Sequence, residues 1–282
     1  AALAYARERL QGRAPNGGPD PAPIIAHPDV ARMLMTMKAH TAAARAICFA
    51  TAAALDRARR LEGAAAREAE ERAGLLTPLA KAYSTDIGVE VASLGIQVHG
   101  GMGFIEETGA AQILRDARIT PIYEGTNGIQ AIDLVTRKLR LSGGAAIWRE
   151  IDDMRADIDV LAANASAVFA NLATRAAAAV DALERATDFL FSLADPRGVE
   201  ALAAATPYLR LFGLARGVTL LGAAALAAHR ADGADAGVEE KIVLARFYGD
   251  NIAVEAEGAE RAVVTGSDSV AAALALFSRV NG

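Results

Sequence analysis

Apolar residues recur at steps of three and four through most of the chain, the period that turns one face of an α-helix toward a core. Val30, Met33, Leu34, Met37, Ala44, Ile47 and Leu55 predict a first long amphipathic helix. The charged stretch Arg57 to Arg72 follows it and reads as a solvated turn between helices. Leu76, Leu79, Tyr83, Ile87, Val91, Leu94 and Val98 predict a second long helix, stopped by Gly100-Gly101-Met102-Gly103. A shorter helix through Ile113 and Leu114 runs to Pro121, and after the loop to Gly125 another carries Ile129, Ile132, Val135 and Leu139. Ser142-Gly143-Gly144 is the best internal boundary. Beyond it Ile151, Met154, Ile158 and Leu161 open a second helical set. Its later stretches, near 165–192, 207–230 and 238–264, are divided by Asp195-Pro196, Pro207 and Gly233. The expected fold class is therefore all-α, an antiparallel bundle over residues 1–141 followed by a second helical domain over 142–282.

Composition supports this picture and removes some functions. Alanine is abundant and aromatics make up only 5% of the 282 residues, as suits long helices. A net charge of -5 offers no basic field for nucleic acid. Charged residues interrupt each long apolar stretch, so no membrane span is expected. The start shows no signal-peptide pattern. The single Cys48 cannot form an internal disulfide and is expected in the core beside Ile47; a reducing, cytoplasmic setting suits it. The chain opens on Ala1-Ala2-Leu3-Ala4-Tyr5 as if inside a helix already under way, with no cap, and so predicts a larger upstream part.

Tyr123-Glu124-Gly125-Thr126-Asn127-Gly128-Ile129-Gln130 carries the candidate chemistry. A carboxylate stands in a loop just before a helix, Gly125 lets the backbone approach a ligand closely, and Thr126 or Asn127 can cap the helix. Taken alone, Glu124 has a blander role open to it, which is to favour the helix dipole.

The surrounding residues add to that reading. Arg115-Asp116-Ala117-Arg118-Ile119-Thr120-Pro121-Ile122-Tyr123-Glu124-Gly125-Thr126-Asn127 closely resembles a signature near the C-terminus of acyl-CoA dehydrogenases. Gln97-Val98-His99-Gly100-Gly101-Met102-Gly103-Phe104 resembles the family's second signature, and Arg9 in Glu8-Arg9-Leu10-Gln11-Gly12 its flavin-contacting arginine. The three motifs stand in the family's order and cover roughly residues 1–140. The rest resembles an extra helical domain of a longer branch that acts on long-chain or methylmercaptopropionyl-CoA thioesters. Its best match is Lys241-Ile242-Val243-Leu244-Ala245-Arg246-Phe247-Tyr248, where Arg246 and Tyr248 read as a surface and packing pair.

The resemblance implies oxidation of an acyl-CoA to the trans-2-enoyl-CoA with bound FAD. Glu124 would take the α proton, shielded from water once substrate binds, while a hydride leaves the β carbon. It implies flavin contacts from Arg9, Gln11, Gln97, Gly100, Gly101 and Thr126, with Gly125 near the thioester. Arg9 and the 97–101 segment usually serve a neighbouring subunit's flavin, so a homo-oligomer is implied, dimer or tetramer. An electron-transfer flavoprotein is the implied acceptor. Family members also need N-terminal helical and middle β-domains, so this chain alone is expected to be inactive and to bind FAD poorly. Gln11 replaces an aromatic residue common in the family, and Gly128 a larger polar one. The rival readings are a non-catalytic helical oligomerisation module and an acyl-CoA oxidase. Other polar residues read as structural: His99 as a cap on helix carbonyls, His27 and His40 without metal-ligand spacing, and hence no metal. Met33 and Met37 read as packing, and Trp148 as an anchor of the second domain on the first.

Overall fold

The computed structural model describes residues 1–232 and 236–279, and helices fill nearly all of them. In the first half these are α1 (Ala2–Glu8), α2 (Pro28–Arg60), α3 (Gly63–Pro78), α4 (Ser84–His99), α5 (Gly101–Phe104), α6 (Ala110–Ala117) and α7 (Asn127–Asp133). The second half holds α8 (Ala145–Ala162), α9 (Ala167–Ser192), α10 (Val199–Asp232), α11 (Ala236–Asn251), α12 (Ala256–Thr265) and α13 (Ser267–Arg279). Among the described residues there is no strand, so the all-α expectation holds. Gly233, one of the expected dividers, lies outside the described residues.

The charged stretch after the first long helix is not a turn. Only Leu61 and Glu62 leave helical geometry, and α3 begins at Gly63. Ala69 and Ala73 are buried along it, Arg67, Glu68 and Glu70 are exposed, and Glu71 and Arg72 reach α8. Glu71 accepts from Arg149 and Ser142, and Arg72 Nε lies 2.8 Å from Glu150 Oε2. Charge here joins two helices, an arrangement that looks in sequence like a solvated face. Cys48 also departs from expectation. α2 shows Ala39, Ala43, Ala44, Ile47, Thr51 and Ala54 to the core. Cys48 falls about 100° round the helix from Ile47 and is exposed.

α10 is the axis of the fold. It has 34 residues, packs against α2, α7, α8, α9, α11, α12 and α13, and contains Pro207 rather than starting there. Buried Ala204, Ala205, Tyr208, Leu209, Leu211 and Phe212 lie on both sides of that proline. Tertiary packing thus offsets the missing hydrogen bond. The same segment overturns the expectation that charge interrupts every long apolar stretch. α10 is the one described helix long and apolar enough to cross a membrane, but 72% of its most apolar window is buried within the fold. Neighbouring helices cover most of it.

One core runs through both halves, from Ala39 to Val263. At its seam α10 carries Gly213 and Gly217 one turn apart. A Cβ at Gly213 would lie 2.2 Å from Tyr83 Cδ2, and one at Gly217 2.4 Å from the Tyr248 hydroxyl. These glycines make the groove in which the hydroxyls of Tyr83 and Tyr248 meet at 2.8 Å. Burial pushes the Tyr83 phenol up to about 12 and the Tyr248 phenol well up too, so both stay protonated. The expected packing role of Tyr248 therefore holds, with Arg246 at the surface. Trp148 stacks on Phe191, within the second half, at 6.3 Å between ring centroids. Arg140 of the first half lies over the Phe191 ring at 5.4 Å.

His40 of α2 is buried edge-on to Tyr248, with Glu90 at 3.9 Å. Burial pulls its pKa below 6.5, against the opposing pull of Glu90. As pH falls through 6.5 the unfolded chain therefore takes up a proton that the folded chain refuses, and stability drops until the lower folded value is passed. His40→Gln is expected to flatten this part of the curve of melting temperature against pH. An unchanged acid limb in that variant would refute the assignment.

Candidate functional site

The Glu124 loop is built by the chain leaving α6 and entering α7. Thr126 caps α7, its hydroxyl accepting from Ile129 N–H at 3.4 Å, as one of the two expected caps. The Asn127 N–H donates to the Pro121 carbonyl at 3.0 Å and closes the loop. Glu124 and Gly125 both take left-handed backbone, with φ of 55° and 85°. Gly125 does so freely, but at Glu124 the conformation costs roughly 1–2 kcal/mol. It persists only where the surroundings over-determine it.

Those surroundings come from the turn before α4. Residues Leu79–Tyr83 form a π-turn, the wide helical turn that recurs at functional sites. From it Lys81 Nζ donates to the Gly125 carbonyl at 2.7 Å and to Asn127 Oδ1 at 2.8 Å. Asn127 Nδ2 donates to the Ala82 carbonyl at 3.0 Å, Thr85 Oγ1 at 2.9 Å and Asp86 Oδ1 at 2.7 Å. Burial pushes the Asp86 carboxyl above its usual range, with the Asn127 amide opposing. Every one of these bonds grips the loop beyond Glu124. The Glu124 side chain is left exposed and free to meet a ligand.

The second cluster lies at the other end of α4. Gly100 ends that helix with φ 58° and ψ -137°, and a Cβ on Gly100 or Gly101 would meet nothing within 4 Å. Facing them, the strip Arg9–Gly12 pairs with Ala22–Ile24 through Gln11 N–H to Ala22 O (2.9 Å) and Ile24 N–H to Arg9 O (2.8 Å). Arg9, Gln11, Gln97, Gly100 and Gly101 thus line one cleft of about 670 Å³, with Tyr5, His27 and His99 around them. Arg9 is exposed, with a long 3.4 Å bond to Gln11 Oε1. His99 bonds the Gly95 carbonyl at 2.6 Å, the helix-end role expected of it. The clusters lie toward opposite ends of α4, whose 16 residues make a helix about 24 Å long. The structure therefore gathers the expected residues into two groups: Glu124, Gly125 and Thr126 in one, and the other five in the cleft.

Comparison with known proteins identifies the family. The family described as "Acyl-CoA dehydrogenase, C-terminal domain" matches residues 1–139, and "Acetyl-CoA dehydrogenase C-terminal like" matches 150–273. The chain belongs to the acyl-CoA dehydrogenase family. It is 43% identical over 95% of its length to 3-methylmercaptopropionyl-CoA dehydrogenase of Ruegeria pomeroyi, of which it covers 46%. The chain thus spans about half the length of that curated relative. An acyl-CoA dehydrogenase of Bacillus anthracis, solved in complex with FAD, matches the fold with a TM-score of 0.71 at 18% identity. That match covers 93% of this chain and 45% of the other. Caenorhabditis elegans ACDH-11 in complex with C11-CoA matches at 0.69 and 20% identity, over 88% of this chain and 39% of the other.

Sequence reasoning did not find Lys81, Thr85 and Asp86. They stand 46, 42 and 41 residues from Asn127, inside a helical run, and no local spacing marks them.

Proposed function

We propose that this acyl-CoA dehydrogenase chain supplies the catalytic base and part of the flavin site for converting an acyl-CoA to its trans-2-enoyl-CoA. One observation carries the reading most: hydrogen bonds hold the loop at Gly125 and Asn127, while the Glu124 carboxylate stands exposed on left-handed backbone. That is how a general base is presented to a substrate. Glu124 takes the α proton of the thioester. The backbone N–H of Glu124 polarises the thioester carbonyl, which makes that proton acidic enough to leave. Gly125 offers close backbone approach beside it. FAD, when bound, supplies the redox chemistry by accepting the β hydrogen as hydride.

The cleft suits the cofactor's adenosine end. The Arg9 guanidinium can bond a pyrophosphate, Gln11 and Gln97 offer amides, and open space above Gly100 and Gly101 admits a flat group against backbone. Thr126, at the start of α7, would contact the flavin end. Their placement toward opposite ends of α4 supports the view that the two clusters serve different flavins in a homo-oligomer. The acceptor in this reading is an electron-transfer flavoprotein, and the setting is cytoplasmic. Residues 1–141 and 142–282 are two helical domains that share one core.

The test is product analysis of the full gene product that carries these residues, incubated with saturated acyl-CoA and an artificial electron acceptor. We expect trans-2-enoyl-CoA. Bound acyl-CoA with no desaturation would overturn the reading.

A further inference from the structure

The resemblance gives residues 142–282 no part in the chemistry, yet the structure connects them to the base. On α10, Gly213 and Gly217 form the groove that receives the Tyr83 ring and the Tyr248 hydroxyl. Arg210, one turn before Gly213, lies 5.9 Å from the Tyr83 ring centroid and bonds Glu90 of α4 at 2.6 Å and Glu255 at 3.0 Å. Tyr83 is the last residue of the π-turn, and Lys81 stands two residues before it. The contacts thus run from α10 and α11 to the Tyr83–Tyr248 pair, then to the π-turn, to Lys81, and to the Gly125 carbonyl and Asn127.

The direction of the Lys81 bonds decides what this connection does. A π-turn carries one residue more than an α-turn and reorients the side chains within it. Tyr83 is fully buried and fixed by its partner, so the turn cannot unwind without breaking a buried hydroxyl pair. Lys81 then holds the carbonyl of Gly125, the residue after Glu124. Without that bond the Gly125 carbonyl is unheld, and the left-handed backbone at Glu124 loses one of its supports.

We propose that Lys81 is a positioning residue for Glu124, kept in place by the Tyr83–Tyr248 pair, so that the second helical domain sets the geometry of the base. The inference rests on Glu124 being the base. It gives the extra domain a function that its distance in sequence from Glu124 conceals.

The test compares Glu124→Gln, Lys81→Met, Lys81→Arg and Tyr248→Phe in the full gene product. Lys81→Met is expected to lower kcat on the order of 100-fold, the scale of an ångström-sized misplacement, with little change in acyl-CoA KM. The kinetic isotope effect with α-deuterated substrate should rise, because proton transfer becomes the slow step. A residue that only stabilised the fold would lower the melting temperature and leave that isotope effect alone. Lys81→Arg should recover part of kcat, since it can still donate to both oxygens. Tyr248→Phe should move both readouts the same way by a smaller factor. Wild-type kcat and isotope effect in Lys81→Met, beside an inactive Glu124→Gln, would overturn this inference and leave the base assignment standing. Wild-type values in Tyr248→Phe would overturn the part given to the second domain. An active Glu124→Gln would overturn the base assignment itself.

Discussion

Glu124→Gln in the full gene product is expected to lower turnover of acyl-CoA on the order of 10³-fold, the usual contribution of a positioned general base. Binding of acyl-CoA and flavin should stay close to wild type. Glutamine keeps the shape of the side chain, and the bonds that hold the loop come from Lys81, Asn127, Thr126 and the backbone, none of them from the carboxylate. The loss should therefore appear in kcat with the melting temperature unchanged. Steady-state kinetics beside a thermal melt make the check. Glu106 provides a contrast. It is exposed and bonded to Arg115 by two contacts of 2.8 and 2.7 Å, so Glu106→Gln should leave turnover nearly intact.

The second large effect is on stability. Glu150 of α8 is buried with Arg216 of α10, its Oε1 2.9 Å from the Arg216 Nε, and Arg72 of α3 lies on its other oxygen. Their side chains are only 1% and 4% exposed. The charges are close, but the geometry is poorly directed. Glu150 Oε2 and the Nε atoms of Arg72 and Arg216 make no well-formed hydrogen bond. Asp157, 3.4 Å from Arg216, is a distant substitute, and burial pushes its carboxyl above the ordinary range. Glu150→Leu strands the Arg216 charge in the interior and should cost about 3–5 kcal/mol. Adding Arg216→Met removes the stranded charge and should recover most of that loss. Urea unfolding of the single and double variants measures both values. A double variant no more stable than Glu150→Leu would contradict this account of the pair.

Some of this was legible in the sequence for clear reasons. Period-3.6 patterning found α2, α4, α8 and α9, and the glycines at 100–103 marked the end of α4 because a helix stop is a local property. Other features depend on partners distant in the chain. Most charges of 57–72 are exposed, but Glu71 and Arg72 bond residues of α8 more than seventy positions on. Pro207 looked like a boundary, but α10 is buried nearly all round, and burial on both sides carries the helix through it. Cys48 was misplaced by one residue's rotation. At the site, contiguous motifs named both clusters, but the bonds that hold Glu124 join residues more than forty apart. The tyrosine pair behind them is separated by 165 residues. Sequence periodicity contains no term for such contacts.

The central claim is tested most directly by anaerobic mixing of the flavin-loaded full gene product with a saturated acyl-CoA, followed by absorbance through a single turnover. The account predicts that the oxidised flavin band bleaches as trans-2-enoyl-CoA forms, and that Glu124→Gln binds the same substrate without bleaching. A band that survives bound substrate in the wild-type protein, or bleaches equally in the variant, would contradict it.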